Sequence, residues 1–211
     1  ETPLTLEQKD ALLKECKGDL HDAVSLSMLT SAREMEVWHM KWGWVHFEQT
    51  EKLPNGWITF PKHVTKNSKA RDVPLGKVAR NILLERHLNK RNKWVFPSSR
   101  KEGSPNNFRK AFENARANTV WTNEDGEEVK GLIDFHYHDL RHTAGSFLAI
   151  AGVHPKAQQK IMGHSDIAMT LKYSHFAKED LANAMLLLED ELCMSVPKCN
   201  KSATNSNPTL N

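Results

Sequence analysis

Between His138 and Tyr173 the chain reads as two short helices joined by a glycine turn, and that stretch constrains everything around it. His138-Asp139-Leu140-Arg141-His142-Thr143 opens a helix expected to run to Ala151, with Leu140, Phe147 and Leu148 facing inward and Gly152 ending it. Pro155 suits the first turn of the next helix, which should run to Met162. Gly163 then lets the backbone turn so that His164 points back, and Tyr173 follows a little further on. Imidazoles, a guanidinium and a phenol are thereby drawn together. They are the groups that covalent opening of a phosphodiester requires: a nucleophile, donors for the non-bridging oxygens and a proton for the leaving oxygen.

The order of the pieces carries more information than any one of them. H-D-L-R-H-T, then Met162-Gly163-His164-Ser165, then Thr170-Leu171-Lys172-Tyr173-Ser174-His175, resembles the catalytic half of the tyrosine recombinases, the phage-integrase family. Two boxes upstream extend the resemblance. Thr30-Ser31-Ala32-Arg33-Glu34-Met35-Glu36 is similar to the family's first-arginine box T-G-x-R-x-x-E, with Ser31 where Gly is usual. Thr65-Lys66-Asn67-Ser68-Lys69-Ala70-Arg71-Asp72-Val73-Pro74-Leu75 is similar to its hairpin lysine box. The match spans roughly Leu4 to Leu192.

The resemblance implies six catalytic residues. Tyr173 would attack the phosphate, and because an unperturbed phenol has a pKa of ~10, ionising it at pH 7 costs about 4 kcal/mol. His138 would accept its proton. Arg33 and Arg141 would clamp the phosphate with paired N–H donors, a geometry lysine cannot copy. His164 would add a further donor, and Lys66 would protonate the departing 5′ oxygen. Neighbouring Lys69 competes with Lys66 for that role. Tyr137, the other of the two tyrosines, competes with Tyr173, although its position beside His138 directs it to another face. His136, His138 and His142 invite comparison with a zinc site, but no convincing fourth ligand stands near them in the sequence.

Elsewhere the pattern predicts an α+β fold, mainly α-helical, with a small antiparallel sheet of three strands. Thr5 and Gln8 read as a capping box for a first helix, and Asp19 as the cap of a second carrying Leu20, Val24 and Met28. Val45 to Leu75 is rich in Val, Ile, Thr and Phe around Pro54-Asn55-Gly56, and Lys66 would sit at the second turn of that sheet. Helical spacing returns at Val78 to Leu88 and Asn106 to Ala117, with Trp94-Val95-Phe96-Pro97 between them as a buried anchor. Asn118 to Lys130 reads as a polar surface loop. A last amphipathic helix is expected over Lys178 to Leu192, with Leu181, Met185 and Leu188 on one face. Residues 1–192 thus form the expected catalytic domain, and 193–211 a polar, mobile tail.

The formal net charge of +3 conceals a strong asymmetry. Lys62 to Arg116 holds 15 Lys and Arg against 4 Asp and Glu, so the remainder of the chain is acidic. Such a segment suits a phosphate-facing surface. The three cysteines show no C-x-x-C spacing, and no apolar run reaches the ~18 residues of a membrane span. These features lead us to expect a cytoplasmic protein that is not membrane-bound, with no cofactor and no metal. The family resemblance implies a site-specific recombinase that integrates or excises a phage or mobile element through a 3′-phosphotyrosine intermediate. Its expected partners are double-stranded DNA attachment sites, three further copies of itself in a tetramer on DNA (a monomer when free), and accessory DNA-bending or directionality factors. The first residue, Glu rather than Met, fits a piece of a longer protein whose DNA-binding domain precedes this one. A type IB topoisomerase or telomere resolvase, a binding-only protein and a metal-dependent phosphodiesterase remain the alternatives.

Overall fold

The computed structural model describes residues 3–65 and 68–176. Helix α1 (Leu6–Glu15) starts with the expected capping box: the Thr5 hydroxyl accepts from Gln8 N (3.1 Å), and the Gln8 side chain accepts from Thr5 N (3.0 Å). Helix α2 (Asp19–Thr30) is capped by Gly18 rather than by Asp19, which is already helical. The Asp19 carboxylate turns instead to Arg86, 2.9 Å away, and Asp22 joins it at 2.8 Å. Leu20 and Val24 are buried, and Met28 packs against the same core from a half-buried position.

After the short helix α3 (Glu34–Trp38), strands β1 (Val45–His46), β2 (Trp57–Phe60) and β3 (Arg71–Pro74) form the antiparallel three-stranded sheet, in that order. The register pairs Val45 with Ile58, Ile58 with Val73 and Phe60 with Arg71. Successive side chains on a strand alternate between faces, so Ile58 and Phe60 enter the core while Trp57 and Thr59 stay half-exposed. Gly56, at a φ of 78°, makes the first turn; a Cβ there would sit 2.1 Å from the His46 carbonyl oxygen. Strand β3 leads into α4 (Lys77–Leu88), whose Ala79 and Leu83 are buried. Val95 and Phe96 anchor the following segment in the core, as expected. Helix α5 (Arg109–Asn118) begins three residues later than its pattern suggests; ahead of it Asn106 N donates to the Phe96 carbonyl (2.8 Å) and Arg109 N to the Asn107 side-chain oxygen (3.0 Å).

The segment from Asn118 to Lys130 is not a loop. Val120–Thr122 (β4) pairs with Glu128–Lys130 (β5) as an antiparallel hairpin. The Asn123 side-chain oxygen accepts from Asp125 N and Glu127 N, and Gly126 takes a φ of 81°, so the polar residues read as loop are the turn itself. Glu7 of α1 accepts from Thr122 N (2.9 Å), which fixes the ribbon to the first helix.

Helix α6 (Asp139–Ile150) packs against α2 and is followed by α7 (Pro155–Met162) and the one-turn α8 (Ala168–Leu171). Leu140 is fully buried as expected, but Phe147 and Leu148 are only half-buried. They line an open apolar groove with Leu13, Met28, Val78 and Ile161. The buried face of α6 is instead small and polar: Arg141, Thr143, Ala144, Gly145 and Ser146. That face leaves room for what α7 and Tyr173 bring against it. The expected helix at Lys178 to Leu192, the tail and Lys66 lie outside the described residues.

Candidate active site

Arg33 sits immediately before α3, at its N-cap. The preceding α2 ends at Ser31, which takes a left-handed conformation (φ 52°, ψ 26°) where the family pattern has glycine. That bend aims the Ser31 carbonyl at Arg141 of α6, whose guanidinium donates both to it and to the Met162 carbonyl at the end of α7. Arg141 is therefore buried yet partnered. Burial, then the charges of Arg33 and Arg71, push its pKa down to about 9, which leaves it charged at neutral pH.

Glu36 joins the first-arginine box to the sheet. It is 1% exposed and accepts from Arg33 N (2.7 Å), Arg33 Nη1 (3.1 Å) and both terminal nitrogens of Arg71 (2.8 and 2.6 Å). Burial alone would raise the Glu36 carboxyl, but the hydrogen bonds and charges of Arg71 and Arg33 more than offset it and hold it below the usual carboxylate range. The pair of Arg33 with Glu36 is thus no solvated helix-surface pair. Arg33, 18% exposed, also reaches the Gly163 carbonyl at 3.4 Å.

Gly163 terminates α7 in the left-handed region (φ 65°), and His164 follows with Nδ1 2.9 Å from the Thr170 hydroxyl. Burial and then the charges of Arg141, Arg33, His142 and Arg71 push His164 down to about 4, so it is a neutral imidazole at pH 7. Its ring lies nearly parallel to that of Tyr173, at 9° and 6.4 Å between centroids. Tyr173 itself is 7% exposed and lies across α6 at Gly145; a Cβ on that glycine would come within 2.8 Å of Tyr173 Cζ. The phenol oxygen is 2.7 Å from Nδ1 of His142. His138 stands next to His142, edge-on at 5.2 Å, and burial, then His142 and Arg141, lower its pKa.

Five of the six expected residues therefore converge: Arg33, His138, Arg141, His164 and Tyr173. Lys66 lies outside the described residues; beside it in the sequence the Thr65 hydroxyl donates to the carbonyls of Lys62 and Lys69. Tyr137 is directed elsewhere, into the core beside Ser27. Sequence reasoning missed His142, Gly145 and Arg71. His142 stands one helical turn after His138, which puts both rings on one face, and that spacing was its signal. Arg71 lies inside the lysine box, but nothing in its local sequence points to Glu36.

The model of the phage integrase family matches residues 3–180. The chain belongs to that family. The integrase of Salmonella phage P22 is 26% identical to it over 92% of this chain and 50% of the phage protein. The catalytic domain of bacteriophage HP1 integrase superposes with a TM-score of 0.63 at 28% identity, over 89% of this chain and 95% of that one. A Tn1549 transposon integrase solved with transposon right end DNA shares the fold, at 23% identity and a TM-score of 0.67, over 92% of this chain and 66% of that one. The chain spans about half the length of the curated relatives it matches. Among the described residues no helix is long and apolar enough to cross a membrane, and no group of three or more His, Cys, Asp or Glu is placed to hold a metal ion.

Proposed function

We propose that this chain is the catalytic part of a site-specific DNA recombinase that cuts and rejoins strands through a 3′-phosphotyrosine. The observation that carries the reading is the phenol of Tyr173, hydrogen-bonded to an imidazole and close to Arg141 and His164, which Arg33 adjoins. In the forward step the Tyr173 oxygen forms a bond to phosphorus, the bond to the 5′ oxygen breaks, and the phenol proton passes to an imidazole. Arg33 and Arg141 stabilise the charge that develops on the non-bridging oxygens. Lys66 supplies the leaving oxygen's proton. With its Nδ1 held by Thr170, neutral His164 can turn Nε2–H to the phosphate. The phosphotyrosine retains the energy of the broken bond, so religation to another strand needs no further energy source.

The geometry favours His142, which touches the phenol, over His138 as the first proton acceptor. We assign the catalytic domain to residues 1–192, and DNA attachment sites, a tetramer on DNA and accessory factors as the partners. The phage and transposon relatives support a role in integrating or excising a mobile element. A DNA substrate nicked close to the cleavage point loses its short 5′ fragment and traps the covalent complex. Incubation with such DNA should yield a protein–DNA band that survives a denaturing gel. Its absence with any attachment-site DNA, under conditions where the chain binds that DNA, would overturn the reading.

A further inference from the structure

Arg71 is the most heavily committed cation in the described site, and the reaction as written gives it no task. Its guanidinium occupies both oxygens of Glu36, its Nε donates to the Ile161 carbonyl (3.1 Å), and its plane lies over Phe60 at 4.5 Å. Its stem runs beneath the Gly163 turn, where a Cβ on the glycine would meet Arg71 Cδ at 2.7 Å. Its side chain is 7% exposed. One residue on β3 therefore touches the carboxylate that holds Arg33 and the turn that presents His164.

Glu36 can accept about four hydrogen bonds. Two come from Arg71 and two from Arg33. If Glu36 faced Arg33 alone, its charge would cancel that of the arginine and its free lone pairs would draw the guanidinium inward. With Arg71 present the trio is formally +1. We propose that Arg71 is a positioning residue: by taking two of the four acceptor sites of Glu36 and offsetting its charge it leaves Arg33 a net positive charge for the scissile phosphate, and by gripping Ile161 beneath Gly163 it fixes where His164 stands. The proposal rests on the recombinase reading.

The test uses the whole chain with the nicked DNA substrate, measuring adduct formation at saturating DNA and, separately, DNA affinity. Arg71→Met should slow adduct formation about 10- to 100-fold, the scale expected of a small misplacement in an active site, and change affinity less than about threefold. The decisive variant adds Glu36→Gln to Arg71→Met. Removing the unopposed carboxylate should recover about tenfold in rate, whereas a merely structural role for Arg71 predicts a further loss. Arg33→Ala with Arg71→Met should be slower than Arg33→Ala alone by less than the full Arg71→Met factor, because the part of Arg71's effect that acts through Arg33 is not additive while the part that acts through His164 remains. Multiplied defects, or no recovery with Glu36→Gln, would overturn the proposal. Circular dichroism melting reports whether each variant folds. Should Arg71→Met fail to fold, Arg71→Lys keeps the charge and loses the fork: slower adduct formation at unchanged affinity is then expected, and wild-type rates would overturn the idea. Wild type forming no adduct would sink the recombinase reading and this proposal together, while wild-type behaviour of the variants beside an active wild type would sink this proposal alone.

Discussion

The two tyrosines of this sequence are almost equally buried, Tyr137 at 6% and Tyr173 at 7% exposed, and their surroundings differ in kind. Tyr137 stands in an aromatic box, edge-on to Trp38 at 5.1 Å and to Phe112 at 5.0 Å, with its hydroxyl 2.9 Å from Ser27. Burial pushes its ionisation well above the ordinary range of a phenol. Tyr173 rests on a glycine and a histidine, beside a cluster of guanidiniums. Burial therefore does not mark a reactive phenol; what matters is whether its neighbours can take a proton and stabilise an anion.

The largest expected effect breaks the comparison outright. Tyr173→Phe should abolish the covalent protein–DNA complex while leaving DNA affinity nearly unchanged, and Tyr137→Phe should form that complex at the wild-type rate. An adduct from the Tyr173 variant that the Tyr137 variant lacks would reverse the assignment. Next in size is the proton acceptor. His142→Asn should slow adduct formation by about 10²- to 10⁴-fold, the usual range for losing a general base. A much larger defect in His138→Asn than in His142→Asn would return that role to His138.

Gly145→Ala sharpens the contrast from the packing side. Its methyl group would sit 2.8 Å from Tyr173 Cζ and 3.0 Å from Met162 Cε, so the ring must shift. Overpacking of this kind costs about 1 to 3 kcal/mol, and the displaced phenol should react about 10- to 100-fold more slowly. Thermal melting and adduct kinetics on one preparation separate the two. Unchanged kinetics would show that the seat on Gly145 is not the reactive position.

pH separates the two surroundings in opposite directions. His164 titrates at about 4 in the folded chain against 6.5 unfolded, so the unfolded chain binds more protons between those values. Its contribution to stability is complete above pH 6.5 and is lost as pH falls towards 4. Tyr137, with its pKa raised above 10, contributes stability that is complete below pH 10 and is lost as pH rises beyond it. Urea unfolding across pH should therefore show a flatter acid side for His164→Gln and a flatter alkaline side for Tyr137→Phe. Curves parallel to wild type would contradict the respective environment.

Much of this was legible in the sequence because it is local. The Thr5 capping box, the Gly163 turn and the alternation through Ile58 and Phe60 are decided by residues a few positions apart. Arg33, His138, Arg141, His164 and Tyr173 were named from ordered boxes, and the fold brings their side chains near one another. The rest depends on long-range packing. Phe147 and Leu148 have the right helical spacing, yet the inner face of α6 goes to small residues because Tyr173 and Met162 need the space. Arg71 meets a carboxylate 35 positions away and a carbonyl 90 positions away, and no periodicity encodes either contact. The ribbon of β4 and β5 was hidden because its turn residues outnumber its apolar ones.

The smallest predicted effect concerns the helix that serves both tyrosines' surroundings. Ser27 and Ser31 stand one turn apart at the end of α2: the first holds the Tyr137 hydroxyl, and the carbonyl of the second holds Arg141. Ser31 does so with a φ of 52°, which costs a residue with a Cβ about 1 to 2 kcal/mol relative to glycine. Glycine would remove that strain but give the unfolded chain more freedom, a loss of roughly 0.4 to 1 kcal/mol. Ser31→Gly should therefore stabilise the fold by roughly 0 to 1.6 kcal/mol, read as a small rise in the urea midpoint at constant slope. Because the Arg141 bond uses the backbone carbonyl, the rate of adduct formation should stay within about twofold of wild type. A clear loss of stability would mean that the serine side chain holds the bend in place, and the left-handed turn would then be a property of Ser31 rather than of the α2 terminus.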